Sequence, residues 1–254
     1  MKKFIGILFS ITIFFAVCFS GCEIYDGNFK KVTVLEAENF IIDKLPSSVD
    51  RGGMQIDIRA NVYGEKSTTF YRIALSDGDL QMYGKSNPVG IKAEFYYSEG
   101  YVYAKSEFDG EVHKIKQQKS LSEVIFGTSS LPNIDDRIYE ELLFDPNTLF
   151  EKFKTNDDSL FYVESTKEYE KIKVVLKTID YYPQADHEIT STVSLIMVFD
   201  KEGNYVASKI CVKDIRVSRE YTEKSNITVT VNPFDKKIEL PSQEELSNYR
   251  DVEL

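Results

Sequence analysis

The sequence predicts an α+β domain in which antiparallel sheet dominates and a helical insert separates two groups of strands. Met54, Ile56, Ile58, Ala60 and Val62 alternate with Gln55, Asp57, Arg59 and Asn61, and a period of two describes a half-buried strand. Glycine turns recur between short alternating runs, at Ser98-Glu99-Gly100 and Phe108-Asp109-Gly110. Between Leu121 and Phe153 the alternation gives way to helical spacing.

The chain begins with Lys2 and Lys3 before an apolar run from Phe4 to Phe19, where Ser10 and Thr12 are the only hydroxylic residues. That run spans 16 residues, a helix of roughly 24 Å against a hydrocarbon core of roughly 30 Å. A cleaved leader fits this length better than a permanent span. Phe19-Ser20-Gly21-Cys22 resembles a bacterial lipobox, with two small residues before a cysteine whose thiol takes a diacylglyceryl group. Phe19 departs from the aliphatic residue usual at its position. The expectation is a signal peptide over residues 1–21 and lipid attachment at Cys22 through palmitate-type acyl chains. A polar tether over 22–31 then leads into a single domain over 32–254.

Within that domain, Val32, Val34, Leu35, Ala37, Phe40, Ile41 and Leu45 approximate a helical stripe ended by Pro46. After the strand at Met54–Val62, Thr68 to Ser76 and Leu80 to Tyr83 flank the tight turn Ser76-Asp77-Gly78-Asp79. Ile91, Ala93, Phe95 and Tyr97 share one face of the next strand, and Tyr101–Ser106 and Glu111–Lys116 complete a meander. The helical insert, near 119–154, comprises Leu121–Phe126, Ile134–Leu143 and Pro146–Phe153 around a Gly127–Pro132 loop. The second group has longer strands. Ile172, Val174, Leu176 and Thr178 oppose a Lys171, Lys173, Lys177 stripe, which reads as a solvated face. Ile189, Val193, Leu195, Met197 and Phe199 share the face of the next strand, and Lys201-Glu202-Gly203-Asn204 turns it into Tyr205–Glu220. Ile227, Val229 and Val231 mark the last strand.

This order of lipobox, tether, helix, meander, insert and long hairpins closes on Asn232-Pro233-Phe234-Asp235-Lys236-Lys237-Ile238-Glu239-Leu240-Pro241. Together with the aromatic hairpin Tyr97-Ser98-Glu99-Gly100-Tyr101-Val102-Tyr103, it resembles the LolA/LppX-like lipoproteins, including Gram-positive members of unknown function. The resemblance implies a strongly curved antiparallel sheet, an incomplete β-barrel, with helices packed on its concave side and an apolar cavity between them. Met54, Ile56, Ile58, Phe95, Tyr97, Val174, Leu176, Val193, Leu195 and Met197 are the cavity-lining candidates.

Composition narrows the chemistry. Apolar residues make up 42% of the chain and include 16 Tyr and 17 Phe, enough for a substantial core. The formal charge is −10, and loss of Lys2 and Lys3 makes the mature chain more negative still. An acidic protein is repelled by nucleic acid, so no nucleic-acid partner is expected. Once Cys18 leaves with the leader and Cys22 is alkylated, Cys211 stands alone, and an internal disulfide is excluded. Within Ile210-Cys211-Val212 it reads as a small buried hydrophobe.

Catalytic signatures are missing. With only His113 and His187 there is no multi-histidine metal site, and no Gly-x-Ser-x-Gly elbow or phosphate loop occurs. Asp135-Asp136 and Asp157-Asp158 lack the spaced oxygen ligands of a calcium loop. No metal, cofactor or catalytic residue is assigned, and the chain is not read as an enzyme. The expectation is an extracytoplasmic lipoprotein on the outer face of the cytoplasmic membrane of a Gram-positive host. It would hold a hydrophobic or amphipathic ligand, lipid included. The alternative is an accessory lipoprotein with a filled core that docks an envelope protein partner.

Overall fold

Alternation along each strand sets one apolar face, and the computed structural model joins those faces in a single sheet. It describes residues 24–41, 53–76, 79–87, 91–119, 146–182, 187–234 and 236–251. The strands are β1 (Lys30–Val32), β2 (Gly53–Val62), β3 (Glu65–Ser76), β4 (Asp79–Asn87), β5 (Lys92–Ser98), β6 (Tyr101–Phe108), β7 (Glu111–Gln118), β8 (Leu160–Ser165), β9 (Tyr169–Tyr182), β10 (His187–Asp200), β11 (Tyr205–Ser218), β12 (Thr222–Pro233) and β13 (Arg250–Asp251). The helices are α1 (Val34–Ile41), α2 (Pro146–Lys154) and α3 (Gln243–Leu246).

The sheet runs β1-β8-β9-β10-β11-β12-β2-β3-β4-β5-β6-β7-β13 and is open. All pairs are antiparallel except β13 on β7. Its edges are strands of three and two residues, which offer little unpaired backbone to another chain. The hairpins at Tyr63-Gly64, Glu99-Gly100 and Asp109-Gly110 have positive φ at both central residues. This is the turn geometry whose twist matches that of paired strands, and glycine reaches it without a Cβ clash.

The expected α+β architecture, with helices packed on the concave side of the sheet, is overturned. The described chain is mostly strand, and its helices have 8, 9 and 4 residues. Ala37 and Ile41 of α1, with Phe150 and Phe153 of α2, join the main core beside β8. Phe150 meets Phe161 edge-on at 5.8 Å, and Lys154 Nζ lies 3.0 Å from Glu38 Oε1. Among the described residues these two short helices each contribute two buried side chains, which do not form a layer over thirteen strands. Of the expected insert only α2 is described; Leu121–Phe126 and Ile134–Leu143 lie outside the described residues.

The first helix also starts later than the stripe from Val32 predicts, and Leu45 lies outside the described residues. Lys30–Val32 pairs with Val163, Tyr162 and Phe161 of β8, and Thr33 starts the helix through a capping box. The Thr33 backbone N–H donates to Glu36 Oε2 at 2.8 Å, and Glu36 N–H donates to Thr33 Oγ1 at 3.2 Å.

We call inner the face that carries the main core. Ile56, Tyr71, Met82, Ile172, Val174, Leu195, Met197, Ile210 and Val231 are almost wholly withdrawn from water on it. The outer face is covered in part by both ends of the described chain. At the start, Tyr25 packs on Ile196, Val198 and Ala207 with Ile24 and Phe29 beside it. At the end, Ile238, Leu246 and Tyr249 are buried, and Tyr249 meets Tyr103 edge-on at 5.6 Å.

Candidate functional site: a cationic aromatic trough

The strand register builds two adjacent rows on the outer face. One runs Asp57, Phe70, Lys85, Glu94, Lys105, and the other runs Gln55, Arg72, Tyr83, Tyr96, Tyr103. Because side chains two apart share a face, each strand gives one residue to each row. Phe70 lies edge-on to Tyr83 at 5.8 Å, and Tyr83 lies 5.2 Å from Tyr96. These rings make an aromatic floor.

A cavity of about 590 Å³ opens beside the first row, with Arg59, Lys85, Lys92 and Lys105 set against Asp57, Glu94 and Glu107 around Phe70. That is the size range of small-molecule sites. Lys85 Nζ lies 2.8 Å from Glu94 Oε1, and Lys105 approaches Glu94 Oε2 at 3.9 Å. The hydrogen bond from Lys85 holds the Glu94 carboxyl below its ordinary range, and its partner raises the Lys85 ammonium. Both charges therefore persist across physiological pH. A second groove of about 470 Å³ lies under the C-terminal segment, bounded by Arg72, Tyr83, Tyr96, Phe234, Lys236, Lys237, Ile238 and Glu239.

The ten cavity-lining candidates share the inner face. Met54, Ile56, Ile58, Phe95, Val174, Leu195 and Met197 are buried in the main core, and Tyr97, Leu176 and Val193 pack against it. Of the ten, Ile58 alone borders either cavity described. Cys22 lies outside the described residues.

The segment expected as a polar tether is docked from Ile24 onward. Tyr25 Oη donates to Asn232 Oδ1 at 3.0 Å, with the Ser208 carbonyl also within reach at 3.1 Å. The lysine stripe is corrected with it, because Lys171 is 3% exposed beneath this segment. Lys173 lies 5.6 Å from the Phe29 ring, and only Lys177 of the three is exposed.

Cys211 is not a buried hydrophobe. Ile210 and Val212 take the inner face, so its Sγ points outward to Asn226 Oδ1 at 3.2 Å. His113 is an exposed strand residue 3.7 Å from Glu111. The His187 backbone begins β10 and pairs with Ser218 of β11 and Tyr182 of β9, while its side chain and the Asp135-Asp136 pair lie outside the described residues. Asp157-Asp158 forms the turn after α2, where the Asn156 side chain accepts from Asp158 N–H. Among the described residues no three His, Cys, Asp or Glu side chains converge as a metal site.

The outer-face rows had a sequence signal. Phe70 and Arg72, Tyr83 and Lys85, Glu94 and Tyr96, and Tyr103 and Lys105 alternate aromatic with charged at period two, opposite the apolar set. Ranking strands by their apolar face alone passes over it.

The class defined by this fold and trough is an open-sheet domain with a ligand-sized, cation-lined outer face. No family model matches the chain, and no curated protein matches it either.

Proposed function

We propose that the chain is a lipid-anchored extracytoplasmic lipoprotein that binds an amphipathic ligand with an anionic part on its outer face, without catalysis. The observation that carries this reading is the cavity around Phe70, where Arg59, Lys85, Lys92 and Lys105 outnumber Asp57, Glu94 and Glu107 in a chain of charge −10. Aromatic rings accept an apolar or ring-shaped moiety, and the surrounding cations favour a negative one.

An anchor at Cys22 would fit the same reading. Tyr25 follows Cys22 by three residues, and three residues of chain reach at most about 11 Å. Asn232, which accepts from Tyr25, pairs in register with Gln55 of the second row. An acyl group on Cys22 would therefore enter the membrane on the trough's side of the sheet, facing the head groups of the outer leaflet.

The test is native mass spectrometry with lipid extraction on the full chain taken from bacterial membranes in neutral detergent. The expected result is a near-stoichiometric acyl-chain species retained by the native protein and lost from a Lys92→Glu, Lys105→Glu variant. A bare protein mass that added lipids leave unchanged would overturn the reading.

A second reading has its own observation. Ile179, Ile215 and Val217 are 58%, 39% and 44% exposed on the outer face of β9 and β11, with Tyr221 at 47% nearby. An apolar group of this kind fits the docking of an envelope protein. Crosslinking at position 179 that captures one defined partner, together with the bare mass above, would favour it.

A further inference from the structure

From the groove beneath the C-terminal segment we infer that Arg72, Lys236 and Lys237 form an oxyanion subsite for a phosphate group. It goes beyond the amphipathic-ligand reading, because its cations are not those of the larger cavity.

Arg72 is held before any ligand arrives. Its guanidinium carbon lies 5.4 Å from the ring centroids of both Phe70 and Phe234. Nε donates to Gln55 Oε1 at 3.2 Å, and Gln55 Nε2 donates in turn to Asp57 Oδ2 at 3.0 Å. Two rings and one hydrogen bond fix the plane of the fork while leaving its terminal nitrogens without a carboxylate partner among the described residues. A planar, pre-oriented guanidinium is matched to two oxygens of one anion.

Lys236 and Lys237 stand exposed at the same groove, with no ion pair among the described residues. Among the described residues, Glu239 is the one acid lining it. Among the described residues three cations stand against one acid, in a protein of charge −10, which favours an anion where Tyr83 and Tyr96 offer ring faces. An aromatic clamp alone would account for Arg72 but not for two further unpaired lysines at its mouth. A tetrahedral phosphate can accept from the Arg72 fork and from both ammonium groups together, which a planar carboxylate does less completely.

The test uses the full chain in neutral detergent, with inorganic phosphate as probe and ionic strength held by chloride. Saturable binding is expected by calorimetry, with a thermal midpoint that rises in phosphate and not in chloride. Lys236→Gln with Lys237→Gln, both on the surface, should weaken phosphate about tenfold while leaving the midpoint in chloride unchanged. Arg72→Lys keeps the charge but loses the fork and should weaken it at least as much. Equal responses to phosphate and chloride, or undiminished affinity in the double lysine variant, would overturn the inference. Doping the micelles with phosphatidylglycerol identifies the source. Displacement of phosphate assigns a lipid head group, and saturable phosphate binding without displacement assigns a soluble phosphate ester, both upholding the subsite.

Discussion

Lys171 Nζ lies 3.0 Å from Glu164 Oε2, with the two side chains only 4% and 11% exposed. The same ammonium donates to the Asp26 carbonyl at 2.7 Å, and Asn28 N–H donates to Glu164 Oε1 at 2.6 Å. Glu164 therefore meets Lys171 through Oε2 and the Asn28 N–H through Oε1. The pair thus sits under residues 26–28 and ties the start of the described chain to β8 and β9.

Removing one partner of such a pair leaves an uncompensated buried charge. Lys171→Met should cost about 3 kcal/mol in urea unfolding, and adding Glu164→Leu should recover most of that loss. Equal losses in the single and double variants would show that the segment, not the charge, is at stake.

Gly27 passes directly over the Glu164 carboxylate, where an added Cβ would collide with it. Glu164 is held by Lys171 and Asn28 and has little freedom to turn aside. Gly27→Ala should therefore loosen the segment, raising amide exchange at 24–29 and costing about 1–2 kcal/mol. Unchanged exchange there would refute the packing argument.

Tyr25 brings a ring and a hydroxyl to the same segment. Tyr25→Phe should lose about 1 kcal/mol with its buried hydrogen bonds, and Tyr25→Ala about 3 kcal/mol as Ile196, Val198 and Ala207 are uncovered. Denaturant midpoints of the two variants measure the difference.

Gly84 lies under the fully buried Tyr71 ring; a Cβ there would stand 2.5 Å from Tyr71 Cδ1 and 3.0 Å from the Phe70 carbonyl oxygen. Neither the ring nor the backbone can yield without disturbing the β3–β4 ladder. Gly84→Ala should destabilise by about 1–3 kcal/mol through overpacking. Gly64→Ala, where a Cβ meets nothing but φ is +94°, tests turn strain separately.

Burial first, and then the charge of Glu94, pushes the Tyr96 hydroxyl up to about 12 from 10.0. The folded state then holds this proton longer than the unfolded chain does. The stabilisation is complete below pH 10 and is lost as pH rises towards about 12. Tyr25 and Tyr249 are raised by burial too, so stability should fall above pH 10, and Tyr96→Phe should lessen the fall. Tyrosinate absorbance of native and unfolded protein follows the titration.

Much of the strand layout was legible. The alternation from Met54 to Val62 became β2 with Met54, Ile56, Ile58 and Ala60 buried, and the Glu99-Gly100 and Asp109-Gly110 hairpins lie where glycine predicts them. One signal was present and passed over. Leu195-Ile196-Met197-Val198-Phe199 is apolar without interruption, and all five are buried. Such a run requires cover on both faces, which announces that another segment must lie over Ile196 and Val198. Tyr25 supplies it.

What the sequence by itself determined is local: the period of the strands and the turns between them. Those follow from steric preferences and side-chain alternation within a few residues. Tertiary structure alone decided that β12 joins β2 and that β1 joins β8, pairings between strands more than a hundred residues apart. It also decided which parts of the outer face are covered and which stay open. Tyr83 and Tyr96 line a groove while Tyr103, in the same row, packs on Tyr249, and nothing in their immediate sequence separates them. The cover comes from chain distant in sequence, and alternation records only which face a side chain takes, not what will lie against it.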